Sequence, residues 1–217
     1  MVKFFVRTTG ERTLDESFSQ IKYELLIDKE RKPINSFIRQ LKIIDDYDAV
    51  LLEDDVILCK GFKREIEKVI EEHKDEVINF YTKPSAFFSS HFCQYFVYNQ
   101  CTYYPKGSAK KIAIQMEKEW NADKLIKDYD VLENKAIHSL NMYLFNYRPC
   151  LVQHKDGYSL MGARFCCIPD RITPYFKDYL DKYGIDYSNP GDVLANLDKL
   201  NQEKDELIKQ IKEDAKK

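Results

Sequence analysis

Short apolar runs alternate along this chain with longer segments in which apolar residues recur every three or four positions. The short runs are typical of buried strands and lie at residues 2–7, 49–52, 77–81, 94–98, 101–104 and 150–154. The spacing of the longer segments predicts amphipathic helices at residues 14–27, 34–44, 61–72, 108–116 and 136–145. Strands that alternate with helices predict an α/β fold with a mainly parallel sheet flanked by helices.

The pattern changes after residue 168. Proline-containing breaks at residues 169–174 and 188–191 precede a segment with apolar residues at heptad-like spacing: Val193, Leu197, Leu200, Leu207 and Ile211. We therefore predict a main domain at residues 1–168 and a C-terminal helical extension at residues 169–217. Either the apolar stripe of the extension packs on its own domain, or it joins two copies of the chain in a homodimer.

Composition excludes several classes of protein. With 44% hydrophobic residues in a chain of 217, a core can form, and the chain does not belong to the disordered class. The 34 basic and 36 acidic residues leave a net charge of −2, which excludes a globally basic nucleic-acid binder. The apolar run at residues 2–6 is too short for a signal peptide or a membrane span, so we expect a cytoplasmic protein without a membrane partner. The 6 cysteines form no C-x-x-C pair, so we expect reduced, packed thiols rather than a zinc ribbon or a disulfide framework.

Candidate chemistry lies where two predicted strands end. Glu53, Asp54 and Asp55 follow the apolar run at 49–52, and ligands of open α/β sheets bind at the carboxyl ends of strands. Adjacent carboxylates repel one another unless a cation compensates, and Mg²⁺ or Mn²⁺ takes such oxygen ligands while it bridges phosphates. His154 ends a second strand and could complete a metal site. The alternatives are a solvated acidic turn and a structural histidine.

These motifs resemble a known family. The segments Leu51-Leu52-Glu53-Asp54-Asp55-Val56 with Phe62, and Pro149-x-Leu151-Val152-Gln153-His154 with Ser159 and Gly162, resemble glycosyltransferase family 25 and related bacteriophage sugar transferases of the GT-A fold. The resemblance covers about residues 2–165. It implies a Rossmann-type GT-A catalytic domain and a metal-dependent transfer of sugar from a nucleotide-sugar donor, by family default a UDP-hexose, to an acceptor hydroxyl.

The resemblance also assigns roles to residues at the two motifs. It implies that Asp55 and His154 bind the divalent metal, Mn²⁺ or Mg²⁺, and that Glu53 contacts the donor. Asp54 is either a further donor-binding residue or holds the loop in shape. Lys155 follows the histidine and is available to offset the charge of the pyrophosphate.

The loop after the first strand is the other donor-binding element that the resemblance implies. Its candidate residues are Arg7, Thr8, Thr9 and Arg12, since arginines suit phosphate groups and Gly10 permits a tight turn. The alternative is that these are ordinary surface polar residues.

An inverting transferase needs a carboxylate base near the acceptor hydroxyl. Asp130 best resembles the element that supplies this base in the family, and Asp128 and Glu133 are close rivals. If the enzyme retains stereochemistry, this assignment does not apply.

Two acceptors and one non-catalytic function are open at this point. Likeness to phage transferases suggests a hydroxymethylated pyrimidine in DNA, and hence a location in the host cytoplasm. Phosphate and base contacts would come from a basic and aromatic set that comprises Lys106, Lys110, Lys111, Arg148, Lys155, Arg164, Tyr103 and Tyr104. The alternatives are a bacterial lipooligosaccharide or surface glycan and, in a different class, a non-catalytic interaction protein that associates through its C-terminal helix.

Overall fold

The computed structural model describes residues 1–30, 32–81, 99–147 and 150–155, and it contains a six-stranded sheet. The strands of this sheet are β1 (Lys3–Thr8), β2 (Tyr23–Ile27), β3 (Ala49–Glu53), β5 (Val77–Asn79), β6 (Cys101–Tyr104) and β7 (Leu144–Asn146). A separate two-stranded ribbon pairs β4 (Val56–Leu58) with β8 (Val152–His154).

The sheet is mixed and mostly parallel. Its strand order is β2-β1-β3-β6-β5-β7. β1 runs parallel to β2 and to β3, β5 runs parallel to β7, and β6 runs antiparallel to both of its neighbours. The α/β prediction with a mainly parallel sheet is confirmed at this level.

Helices cover both faces of the sheet. They are α1 (Pro33–Ile44), α2 (Phe62–Glu72), α3 (Ala109–Ala122) and α4 (Tyr129–Ser139), together with a short 3₁₀ helix at Glu16–Gln20. Successive side chains of a strand point to opposite faces. Phe5 of β1 therefore joins the core formed with α1, α3 and α4, while Phe4 and Val6 join the core formed with α2 and the 3₁₀ helix. None of the described helices is long and apolar enough to cross a membrane.

The sequence prediction was wrong at residues 14–27. This segment forms the 3₁₀ helix and then β2 instead of one helix. The apolar residues match a helical period, but Tyr23, Leu25 and Ile27 also alternate at the strand period, and parallel pairing with β1 selects the strand.

The prediction for residues 136–145 was wrong in part. α4 begins earlier, at Tyr129, and ends at Ser139. Asn141 then adopts a left-handed conformation with φ of 51°, which stops a helix, and the chain continues into β7. The predicted strand at 94–98, the domain boundary at 168 and the C-terminal helix at 192–211 lie outside the described residues.

Candidate functional site

Two backbone pairings bring the predicted site residues together. β1 and β3 are parallel neighbours and Arg7 lies opposite Glu53, so the loops after both strands leave the same edge of the sheet. The β4–β8 ribbon places Val56 opposite His154, which draws the end of the second motif against the acidic turn. The backbone N–H of Lys155 also donates to the carbonyl oxygen of Asp55 at 2.8 Å. The two motifs, about a hundred residues apart in sequence, therefore share one edge of the fold.

The loop after β1 folds over the acidic turn. Arg12 forms ion pairs with Asp54, at 3.2 Å, and with Asp55. The hydroxyl of Thr8 donates to Asp54 and accepts the backbone N–H of Gly10 at 2.8 Å, while Gly10 takes a left-handed φ of 83°. Asp54 is thus bound by the loop on both oxygens, in agreement with a role in shaping it.

Asp55 and His154 face each other. Nε2 of His154 lies 3.5 Å from Oδ2 of Asp55, and both residues are buried. Nδ1 of His154 lies 3.0 Å from the carbonyl oxygen of Lys155 and donates to it. In the neutral ring the lone pair of Nε2 is then on the side of the Asp55 carboxylate, whose Oδ2 also pairs with Arg12.

The side chains at this position include two ligand types that a divalent metal accepts. Among the described residues, Oδ1 of Asp55 is buried without a hydrogen-bond partner, and a carboxylate oxygen with an imidazole nitrogen is a normal ligand pair for Mn²⁺. The described residues do not gather three or more His, Cys, Asp or Glu side chains into a metal-binding group. Asp55 and His154 are the residues that would hold such an ion.

Glu53 belongs to a second, half-buried cluster. Its carboxylate lies 3.5 Å from the guanidinium of Arg7 and accepts a hydrogen bond from the hydroxyl of Tyr129. The Arg7 guanidinium lies 4.3 Å from the centre of the Tyr129 ring and 4.8 Å from that of Phe37. Burial, reinforced by the charge of Asp55, raises the pKa of Glu53 above its ordinary value. Arg7 and Glu53 are therefore mutual partners within the fold in this state.

The other predicted donor-binding residues lie on the same loops. Nζ of Lys155 donates to the carbonyl oxygen of Thr13 at 3.1 Å and lies 3.8 Å from Asp15. The hydroxyl oxygen of Thr9 is buried and has no hydrogen-bond partner among the described residues. Lys155 is thus tied to the loop after β1, beside the turn that carries Asp55.

The three candidate bases differ in environment. Asp130 is half-buried in the first turn of α4, where its carboxylate accepts its neighbour's backbone N–H at 2.8 Å. Asp128 is exposed just before the helix. Glu133 is completely buried and accepts hydrogen bonds from the hydroxyl of Tyr104, at 2.5 Å, and from Asn99, at 2.8 Å. A side chain without exposure cannot receive an acceptor proton directly, so Asp130 and Asp128 stay as candidates.

The buried network around α4 was not predicted from the sequence. Tyr129 links the start of α4 to Glu53, and Glu133, one turn later, links it to β6 through Tyr104. Tyr129 and Glu133 are four residues apart, a spacing that puts both side chains on one face of a helix. This could not be used for prediction because the helix was expected to begin only at residue 136.

The basic and aromatic set suggested for DNA is divided by the fold. Tyr103 and Tyr104 are buried, with 1% and 0% exposure, and cannot stack on bases. Because β6 is antiparallel to β3 and pairs Tyr104 with Ala49, Lys106, Lys110 and Lys111 follow at the edge opposite the acidic turn. Arg148 and Arg164 lie outside the described residues.

Comparisons with known proteins add no identification. Neither a scan against protein-family models nor a search of curated proteins gives a match to the chain. The interpretation of the site therefore depends on its own geometry and on the motifs described above.

Proposed function

We propose that this chain is a metal-dependent glycosyltransferase that moves a sugar from a nucleotide-sugar donor, a UDP-hexose, to an acceptor hydroxyl. The observation that carries the proposal is the convergence of the two motifs: Asp55 and His154 are 3.5 Å apart although 99 positions separate them in sequence. Unrelated surface acids and histidines have no reason to meet at the carboxyl edge of an α/β sheet, where ligands of such folds bind.

The electrostatics of the edge suit a diphosphate. Asp55 and His154 are the residues that would hold a divalent cation, which when bound would neutralise negative charge on the departing nucleotide. Arg12 and Lys155 lie on the same loops, where Arg12 pairs with Asp54 and Asp55 and Lys155 lies beside Asp15. A phosphate could replace these carboxylates as their partner. Glu53 is held by Arg7 and Tyr129 at the end of β3, beside the proposed donor site.

The transfer itself needs one bond exchange. The acceptor oxygen forms a bond to the anomeric carbon, the bond from that carbon to the phosphate oxygen breaks, and the nucleoside diphosphate departs with the electron pair. For inversion, we assign the acceptor proton to Asp130, the half-buried acid that directly follows Tyr129 in α4.

The experiment that tests the donor half is a nucleotide-sugar hydrolysis and transfer assay on Asp55→Asn. Loss of a charged ligand should lower turnover by on the order of a hundredfold or more, since a bound metal contributes several kcal/mol to the transition state. Asp54→Asn is the matched control, with a smaller loss of turnover and a larger loss of thermal stability, because Asp54 holds the loop. Full activity of wild type and Asp55→Asn in excess chelator would exclude the metal role.

For the acceptor, we infer a hydroxymethylated pyrimidine in DNA from the likeness to phage transferases. Lys106, Lys110 and Lys111 lie at the opposite edge of the sheet, so phosphate contacts next to a sugar held at Asp55 would have to come from other residues. A bacterial surface glycan is the second candidate acceptor. Mass analysis of both acceptors after incubation with UDP-hexoses separates them. Transfer to DNA should also weaken steeply with added salt, as binding through several phosphates requires, whereas transfer to a neutral glycan should not.

A further inference from the structure

The outer edge of β2 carries an exposed apolar strip. Tyr23, Leu25 and Ile27 are 38%, 50% and 46% exposed, and all three point to the same face of the sheet as Phe4 and Val6. β2 is the terminal strand of the sheet, so within the described residues no strand pairs with its outer side. Natural proteins normally protect such an edge, because an exposed apolar strand pairs readily with another.

The backbone of β2 presents the same three residues to the outside. The N–H of Asp28 donates to the carbonyl oxygen of Thr8 in β1 at 2.8 Å, so residue 28 faces inward. The backbone groups of a strand alternate in direction, so the even-numbered residues of β2 face β1, and Tyr23, Leu25 and Ile27 direct their N–H and C=O groups outward. An added antiparallel strand would bond to these residues.

The sequence of the strand is complementary to itself in reverse. In an antiparallel pair of two β2 strands centred on Leu25, Tyr23 faces Ile27 of the other copy and Lys22 faces its Asp28. Apolar residues then meet apolar residues on one face, and opposite charges meet at both ends, which are the favourable cross-strand pairs. A partner strand of unrelated sequence would not satisfy both conditions by default.

A surface cavity of about 380 Å³ adjoins this edge on the α1 face of the sheet. It is lined by residues 25–27, Lys29, Glu30, Arg39, Gln40 and Ile43. Ile43 of α1 is itself 50% exposed there. A second copy that pairs with β2 in the plane of the sheet would lie next to this cavity.

We propose that two copies of this chain pair through β2 in an antiparallel, two-fold arrangement centred on Leu25, which extends the sheet across the dimer. Such an interface is isologous, so each contact occurs twice and the assembly closes at two copies. This proposal is independent of the glycosyltransferase assignment, because it uses no residue of the site at the ends of β1 and β3.

Light scattering over a range of protein concentrations is the first test. Wild type should have the mass of a dimer, and Leu25→Lys, which sets two like charges against each other at the centre, should dissociate at about a hundredfold higher concentration or be monomeric. Leu125→Lys is the matched control, because Leu125 is 86% exposed and lies far along the chain in a loop. It should keep the dimer, and thermal melts should show that both variants are folded.

Thiol cross-linking tests the register. The two copies of residue 25 would lie opposite each other with Cα atoms about 5.5 Å apart, whereas the two copies of residue 23 would be offset by four positions, or roughly 13 Å. A bismaleimide shorter than the second distance should therefore join Leu25→Cys into dimers and leave Tyr23→Cys largely unlinked, with wild type measuring the background from native thiols. A monomer at every concentration, a dimer that Leu25→Lys leaves intact, or equal cross-linking of both cysteine variants would overturn the proposal.

Discussion

Glu133 provides a sharp test of the buried network, because a carboxyl group with 0% exposure must titrate differently in the folded and unfolded chain. Burial raises the pKa of Glu133 from 4.5 to about 7, against the opposing hydrogen bonds from Tyr104 and Asn99. The folded protein thus holds the proton more tightly than the unfolded chain. Stability from this group is fully present below pH 4.5 and is lost as the pH rises through 7.

The size of the effect follows from the same pKa values. At about 1.4 kcal/mol per pKa unit, the change from 4.5 to about 7 lowers the free energy of unfolding by about 3 kcal/mol between acidic and alkaline conditions. Glu133→Gln has the same shape but no charge, so it should not show this loss. The amide provides one acceptor for two donors, Tyr104 and Asn99, which costs about 1 kcal/mol at every pH.

The variant should accordingly be less stable than wild type by about 1 kcal/mol at pH 3.5, nearly as stable at pH 5, and more stable by about 2 kcal/mol at pH 8. Urea unfolding followed by circular dichroism at a series of pH values measures both quantities. Glu72→Gln, which replaces an exposed glutamate of α2 by the same amide, is the control and should retain the wild-type pH profile. If the free energies of unfolding of Glu133→Gln and wild type differed by the same amount at every pH, the titration of Glu133 would be refuted.

Three further outcomes are expected. His154→Ala should shift the metal titration of activity to higher concentration with little change in melting temperature, and an unshifted curve would show that His154 is not a ligand. Truncation after Gly191 should leave the β2-mediated dimer in place. It should lower solubility or melting temperature, because the surface that contacts the apolar stripe becomes exposed. Dissociation to monomers on light scattering would instead assign dimerisation to the extension. Gly61→Ala should lower the melting temperature by a few degrees in calorimetry, since Gly61 directly precedes α2 with φ of 75° and a Cβ there is strained by about 1 kcal/mol. An unchanged melting temperature would contradict this.

The proximity of Asp55 and His154 could be predicted from the sequence, whereas several connections of the fold could not. Asp55 follows one apolar strand and His154 ends another, and ends of neighbouring strands meet at one edge of such folds. Residues 14–27 failed because the same apolar spacing fits a helix and an edge strand, and only the parallel register with β1 distinguishes the two. The spacing of apolar residues alone does not show which strand or helix a segment will pack against.

The partners of the charged residues were the least predictable feature. The same role is predicted for Arg7 and Arg12. Arg7, however, lies within β1 and packs against the adjacent rings of Phe37 and Tyr129, whereas Arg12 lies in the following loop and pairs with the acidic turn. The difference arises from strand alternation and from the position of α4, which starts with Tyr129. Such contacts depend on tertiary packing and leave no trace in local spacing.

The separation of Asp55 and His154 is set by the backbone rather than by their mutual attraction. The backbone N–H of Lys155 donates to the carbonyl oxygen of Asp55, and the β4–β8 pairing follows directly after this bond. At the other end of the ribbon, the backbone N–H of Cys59 donates to the carbonyl oxygen of Leu151 at 3.0 Å. Ser17 of the 3₁₀ helix accepts the N–H of Leu58 at 2.9 Å and fixes the ribbon to the core. Because these bonds do not involve the imidazole, replacing His154 removes a functional group without releasing the turn. An effect of that substitution on the metal concentration needed for activity can therefore be assigned to loss of a ligand, because the ribbon holds the backbone of both residues in place without the imidazole.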